Sequence, residues 1–400
     1  MRSNRIIHLS IFFAYFLTGM IALVIGAILP YLIKEFHLGY SQGGMLLFVH
    51  AAGNLGSAVI SGIISTFLGR KFALILGGVF FSIALTGIIF APSFLLLLLF
   101  MLLSGFGRGT FVNLGNATMN EATEGSGSAI NLLHTFFAIG AFIAPLMVGI
   151  AIKANLGWRF AVVIVAALSF ILLVVLVLMP YKVKKGVEGI PIEKEKRSFE
   201  FLKNKRYYLF MGILFFYVGT EISMNGWIVT YLTNSKELPV ILSQSVLSVL
   251  WLAIIFGRLL CAYISTKLSK EKIILFSSLG AALFFLFLLV SASPFTIMFC
   301  AFGMGVFLAG IYPTTVANAN FLTNGSSISN GMLVSCGSLG ASAIPFITGV
   351  LAGEKGIGIG MFTILCTAFL LVIFALLNAL STSETGRSTI QVKQKVRFGG

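Results

Sequence analysis

Residues 7–33 read IHLSIFFAYFLTGMIALVIGAILPYLI, without one charged side chain. A helix rises 1.5 Å per residue, so a run of this length reaches across the ~30 Å hydrocarbon core of a bilayer. It follows Arg2 and Arg5, the layout of a secretory leader. It is too long for a leader's apolar segment, however, and no small-residue cleavage site closes it. It therefore reads as an uncleaved first span. Eleven more apolar runs follow, near residues 42–67, 72–91, 94–119, 127–152, 158–180, 207–232, 241–266, 272–292, 294–322, 327–352 and 357–380.

The composition agrees. Of 400 residues 58% are hydrophobic and 10% charged, against roughly 25% charged in soluble domains. A surface in water could not be covered with so few polar groups; lipid removes that demand. The net charge is +15, but the basic residues sit in the gaps between apolar runs and form no stripe interleaved with aromatics, so nucleic acid is excluded as a partner. Their placement reports topology instead. With both termini cytoplasmic, the inner segments hold 20 of them: Arg2, Arg5, Arg70, Lys71, nine between 181 and 206, Lys267, Lys270, Lys272, Arg387, Lys393, Lys395 and Arg397. The outer loops hold five, Lys34, Lys153, Arg159, Lys236 and Lys355. A missed span would scramble that bias. The expected location is a cell membrane.

Cys261, Cys300, Cys336 and Cys366 are far apart and read as small core residues. All twelve acids are glutamates. There is no HExxH, GxSxG, CxxC or phosphate-binding loop, so no metal, cofactor or catalytic residue is expected. A polytopic enzyme or a sensor therefore ranks low.

The chain repeats itself. Gly140, Pro145 and Gly149 in the fifth run recur as Gly340, Pro345 and Gly349 in the eleventh, 200 residues on. Gly105 and Gly107 are echoed by Gly303 and Gly305, Ser65-Thr66 by Ser265-Thr266, and Asn131 by Asn330. The expected fold is an all-α polytopic membrane protein of twelve transmembrane helices in two pseudo-symmetric six-helix bundles. Its parts are a bundle over 1–180, a cytoplasmic loop over 181–206, a second bundle over 207–380 and a basic cytoplasmic tail over 381–400. Duplicated halves rocking about a central site are one plan of secondary transporters.

Gly62-Ile-Ile-Ser-Thr-Phe-Leu-Gly69-Arg70-Lys71 resembles the signature between the second and third spans of the major facilitator superfamily. Thr66 stands where that signature has an acid. The resemblance covers essentially the whole chain and implies a monomeric carrier gated by Gly62, Gly69, Arg70 and Lys71. Within the superfamily, Tyr217-Val-Gly219-Thr-Glu221, with Trp227 and Tyr231, is similar to the seventh span of the fucose–galactose–glucose symporters. Asn131-Leu-Leu-His134-Thr-Phe136, running on to Gly140-Ala141 and Pro145, is similar to their fifth. That resemblance implies a sugar as substrate, and Asn131 and His134 as residues that touch it. The acids those symporters carry in spans 1 and 4 are Leu23 and Thr110 here.

Ionisable groups inside spans cost roughly 3 kcal/mol each and mark function. They are few: Arg108, Arg258 and Glu221, with His50 and His134. Tyr217, Glu221 and Asn225 lie at i, i+4 and i+8 and share a helix face. A carboxylate, a phenol and an amide there suit a hydroxylated solute, with Trp227 packing on its apolar side. Glu221 is also the group expected to exchange a proton or answer another cation. Against this stands a plain ion pair of Glu221 with Arg108 or Arg258, and for Arg258 a snorkelling reach to the inner surface. Two buried cations against one acid would suit an anionic solute. His50, Asn54, Ser57 and Ser61 form a polar stripe that serves either helix packing or a conduit. Asn113, Asn116, Tyr312 and Asn318 are weaker cavity candidates, and Glu121 and Glu124 are expected to be solvated. Pro145 and Pro345 permit bending. The resulting expectation is a carrier for a small polar solute, a sugar first, coupled to protons. The alternative is an exporter of drugs or organic anions, since the fifth-run motif partly matches that of exporters.

Overall fold

The computed structural model describes residues 2–123, 126–180, 200–323 and 327–398. Its helices are α1 (Arg2–Glu35), α2 (Tyr40–Leu68), α3 (Arg70–Phe90), α4 (Phe94–Ala122), α5 (Gly127–Lys153), α6 (Gly157–Leu178), α7 (Lys205–Asn234), α8 (Val240–Ile264), α9 (Lys270–Val290), α10 (Pro294–Leu308), α11 (Ile311–Leu322), α12 (Ser327–Lys355) and α13 (Ile357–Phe398). Among the described residues there is no strand. The described residues include twelve helical stretches long and apolar enough to cross a membrane, the tenth made of α10 and α11 together. Most of the linking segment, 181–199, and Glu124 lie outside the described residues.

Two elements differ from the expected runs. The tenth breaks at Ala309-Gly310, where Pro313 in the first turn of α11 supplies no N–H for the Ala309 carbonyl. The last run continues well past Ser381: α13 reaches Phe398, and no proline in 381–398 stops it. Of the four free cysteines, Cys300 is buried and Cys366 exposed, so the small-core reading fits the first and not the second.

The first six spans form one bundle, with α1 on α5, α2 on α4, and α3 on α4 and α6. The second repeats it, with α7 on α12, α8 on α10, and α9 on α10 and α13. Glycines set these crossings. A Cβ on Gly140 would strike the Phe16 carbonyl of α1, and one on Gly340 the Phe215 carbonyl of α7. Gly105 meets the His50 carbonyl of α2, and Gly305 the Leu250 carbonyl of α8. The repeat is thus Gly105 with Gly305, again 200 residues apart, and the sequence pairing of Gly105 with Gly303 is corrected. Gly303 faces the Phe284 ring instead.

The halves meet through α1 with α7, α2 with α12, and α5 with α8. These contacts gather towards the end of the molecule opposite the termini. A Cβ on Gly349 would lie 2.8 Å from the Gly44 Cα, and one on Gly149 would lie 3.1 Å from the Gln244 Cβ. Gln244 Nε2 donates to the Ala27 carbonyl at 2.8 Å, and Ser248 Oγ to that of Phe142 at 2.8 Å. Towards the terminal end α2 turns outward-exposed: Val59, Ile63 and Phe67 are uncovered, and a Cβ on Gly56 or Gly62 would meet nothing within 4 Å. The two bundles are closed together at the far end and spread apart at the terminal end.

Candidate functional site

Both halves bring charge to mid-depth. Arg108 stands midway along α4 and Glu221 midway along α7, each half-buried; Arg258, on α8, is exposed. The Glu221 carboxylate lies beside the Tyr217 hydroxyl and within electrostatic reach of both Arg258 and Arg108. The Tyr217 ring sits 6.2 Å from that of Tyr312 on α11, and Tyr312 also feels Glu221. His134 of α5 faces the Arg258 charge and the Tyr15 ring, 5.8 Å away. One cluster therefore draws on α1, α4, α5, α7, α8 and α11.

The charges are near one another without closing into pairs. The ion pairs among the described residues are Arg70–Glu121, Arg159–Glu35 and Arg206–Glu271, and none includes Glu221. A plain structural pair with either arginine is thereby corrected. Arg258, exposed in the inner part of α8, lies within electrostatic reach of Glu221, His134 and Tyr217.

Other expected site residues go elsewhere. Asn225 is buried, and its Oδ1 accepts a 3.0 Å bond from Trp251 Nε1. The Trp251 ring packs 5.5 Å from Phe137, and the Arg108 guanidinium lies 6.0 Å over that same ring. Trp251 and Phe137 thus close the cluster on the side away from the termini. Trp227 is fully buried among the distal contacts. It donates to the Pro345 carbonyl at 3.0 Å and packs edge-on against Tyr40, so it clamps the closed end and does not reach Glu221. Asn131 is exposed near the start of α5, one turn before His134. The stripe on α2 serves packing: His50 Nδ1 meets Ser104 Oγ at 2.8 Å, and Asn113 Nδ2 donates to the Ala58 carbonyl and to Ser61 Oγ, at 3.0 and 3.2 Å. Asn116 binds the Val112 carbonyl of its own helix. Asn318 donates to Glu271 at the terminal end, not into the cavity. Phe137 and Tyr15 were missed because aromatics fill every run and nothing in their spacing sets them apart.

The Gly62–Lys71 segment is built as a tie. Gly69 has φ +87° and joins α2 to α3 in one residue. Arg70 then pairs with Glu121 at the end of α4, and Lys71 Nζ donates to the Val177 carbonyl of α6 at 2.8 Å. Glu121 is thus a partner and not merely solvated. Thr66, in the acid's place, bonds the Gly62 carbonyl of its own helix at 3.0 Å. Pro145 and Pro345 lie inside unbroken helices whose ends carry the two distal crossings.

The chain is 23% identical to a TsgA homolog of Erwinia tasmaniensis over 86% of its own length and 87% of that protein's. It is 23% identical to the bypass of stop codon protein 6 of Saccharomyces cerevisiae, over 85% and 75%. Its fold matches the crystal structure of the nucleoside transporter NupG with a TM-score of 0.76 at 16% identity, covering 93% of this chain and 98% of that one. It matches an inward-facing bacterial homolog of the human lysosomal transporter Spinster with a TM-score of 0.74 at 16% identity, over 94% and 96%. The family model of the major facilitator superfamily fits residues 11–345, and the chain belongs to that superfamily.

Proposed function

We propose that this protein is a secondary transporter that moves a small polar solute across the cell membrane by alternating access. The observation that carries this reading is the placement of Glu221 between Arg108 of the other half and Arg258 of its own, at mid-depth and reachable from one end. A group so placed changes its charged neighbours whenever the halves rock, so its charge state and the conformation are linked. Tyr217, Tyr312 and His134 around it offer hydroxyl and ring-nitrogen partners for a hydroxylated solute, a sugar first. The first and last six spans act as the moving bodies, over 1–180 and 207–380, and a monomer suffices. The basic bias puts the termini in the cytoplasm, so the open end faces inward.

The test is uptake by the purified full-length chain in liposomes. A labelled hexose should accumulate under an imposed inward proton gradient. Glu221→Gln should abolish accumulation while leaving exchange of internal for external solute intact. A Glu221→Gln protein that still accumulates solute would sink Glu221 as the coupling group. The second reading, export of an organic anion, is favoured by the imbalance of two arginines against one acid. It predicts extrusion of anionic dye from cells and no gradient-driven hexose uptake.

A further inference from the structure

We infer that the transported solute is a hydroxylated monocarboxylate of the sugar-acid type, with its carboxylate held between Arg108 and Arg258. The inference rests on the transport reading above and deepens it.

The first argument is charge. Glu121, Glu35 and Glu271 are each committed to an arginine at a helix end. Glu237 and Glu354 lie at the distal ends, in the turn after α7 and the last turn of α12. Glu221 is the one described acid at mid-depth, and it faces two guanidinium groups. One positive charge therefore has no counter-charge among the described residues, and a bound anion that shields the pair from water would supply it. The neighbours on the other packed helices do not correct it. His50 beside Arg108 and His134 beside Arg258 are donors, acceptors or cations, never anions.

The second argument is an orphaned donor. Arg108 Nε is buried with no hydrogen-bond partner among the described residues. Its guanidinium is steadied over the Phe137 ring, a contact that leaves the N–H edge free for a planar oxyanion. Arg258, exposed on the facing half, offers the second fork. The phenols of Tyr217 and Tyr312, their rings tilted and 6.2 Å apart beside Glu221, remain for hydroxyl groups on the rest of the solute. An excess of one charge matches a single carboxylate, and a dianionic phosphate ester would overshoot it. The same anion explains why Arg108 and Glu221 need no direct pair: the solute completes a three-charge set across both halves.

The experiment measures binding to the full-length detergent-purified chain by calorimetry and, in liposomes, exchange of labelled solute. The probes are matched sets: glucose, glucuronate and glucose 6-phosphate, and the galactose counterparts. The acid should bind and exchange, and binding should weaken as salt rises. Arg258→Gln, at a position exposed until solute binds and therefore no threat to folding, should weaken acid binding roughly thirtyfold or more, because the bound carboxylate then loses one of its two guanidinium partners. Arg258→Lys should recover part of that loss, and Arg108→Gln should act like Arg258→Gln. If the neutral sugar binds as tightly as the acid and Arg258→Gln changes neither, the anion inference fails while the sugar carrier stands. If the phosphate ester wins, the monocarboxylate assignment fails. If no member of any set binds or exchanges, the inference falls together with the hydroxylated-solute reading.

Discussion

A single side chain in this protein is judged by what it does with its hydrogen-bonding atoms. Glu221 stood out in the sequence because a carboxylate inside a long apolar run is conspicuous, and Arg108 and Arg258 for the same reason. Asn225 was placed with Glu221 because periodicity puts both on one face of α7. Periodicity says nothing of a neighbouring helix, and the Asn225 amide oxygen is taken by Trp251 Nε1 at 3.0 Å. Asn113 and Asn318 were misjudged in the same way, their partners lying on α2 and α9. The Asn225–Trp251 bond is testable. Trp251→Phe keeps an aromatic against Phe137 but leaves a buried Asn225 oxygen unpaired, a cost of about 1–3 kcal/mol. The thermal midpoint of the purified protein should fall accordingly. Adding Asn225→Leu to Trp251→Phe should restore part of it, because removing both partners leaves nothing unsatisfied. A double variant less stable than the sum of the two singles would show that the bond is not what Asn225 contributes.

Helices were the most legible scale. Length and hydropathy located every span to within a few residues, since a bilayer demands unbroken apolar helices. Interruptions were less visible. The break at Ala309-Gly310 depends on one proline placed just after one glycine, and many membrane helices carry such residues without breaking; α5 and α12 run straight through Pro145 and Pro345. The turn between α2 and α3 shows the same limit. Its motif was recognisable, but Gly62 and Gly69 look equivalent in sequence and are opposite in structure. Gly62 is helical with open space where a Cβ would go, whereas Gly69 has φ +87° and ψ 152°. Gly62→Ala should leave stability unchanged or raise it by up to about 1 kcal/mol through helix propensity. Gly69→Ala should cost about 1–3 kcal/mol, since that backbone region is nearly closed to residues with a Cβ. It should also loosen the Arg70–Glu121 and Lys71–Val177 ties that the turn aims. Thermal unfolding of the two variants side by side decides it: equal midpoints would mean the turn tolerates a side chain at Gly69.

At the level of the whole molecule, the 200-residue repeat does more than duplicate a bundle. Gly149 meets Gln244 where α5 crosses α8, and Gly349 meets Gly44 where α12 crosses α2. Shifting the first pair by 200 residues gives the second, so the closed end is itself built from one crossing used twice. The sequence displayed these glycines at constant spacing but not their work: Gly140 and Gly340 pack within a half, whereas Gly149 and Gly349 join the halves. If transport requires that junction to part, fastening it must stop turnover without removing the site. A Cβ on Gly353 would stand 3.6 Å from the Ser41 Cβ, inside the 3.5–4.5 Å range of disulfides. In a background with Cys261, Cys300, Cys336 and Cys366 replaced, Ser41→Cys with Gly353→Cys should therefore oxidise to a bond between α2 and α12. The oxidised protein should still bind solute from the terminal end, because Glu221, Arg108 and Arg258 are untouched, yet carry none across a liposome membrane. Reduction should restore transport. The single variants, oxidised identically, should transport throughout, which separates the bond from the substitutions. Full transport with the bond demonstrated by peptide mass spectrometry would mean that the far end need not open, and alternating access through this junction would be wrong.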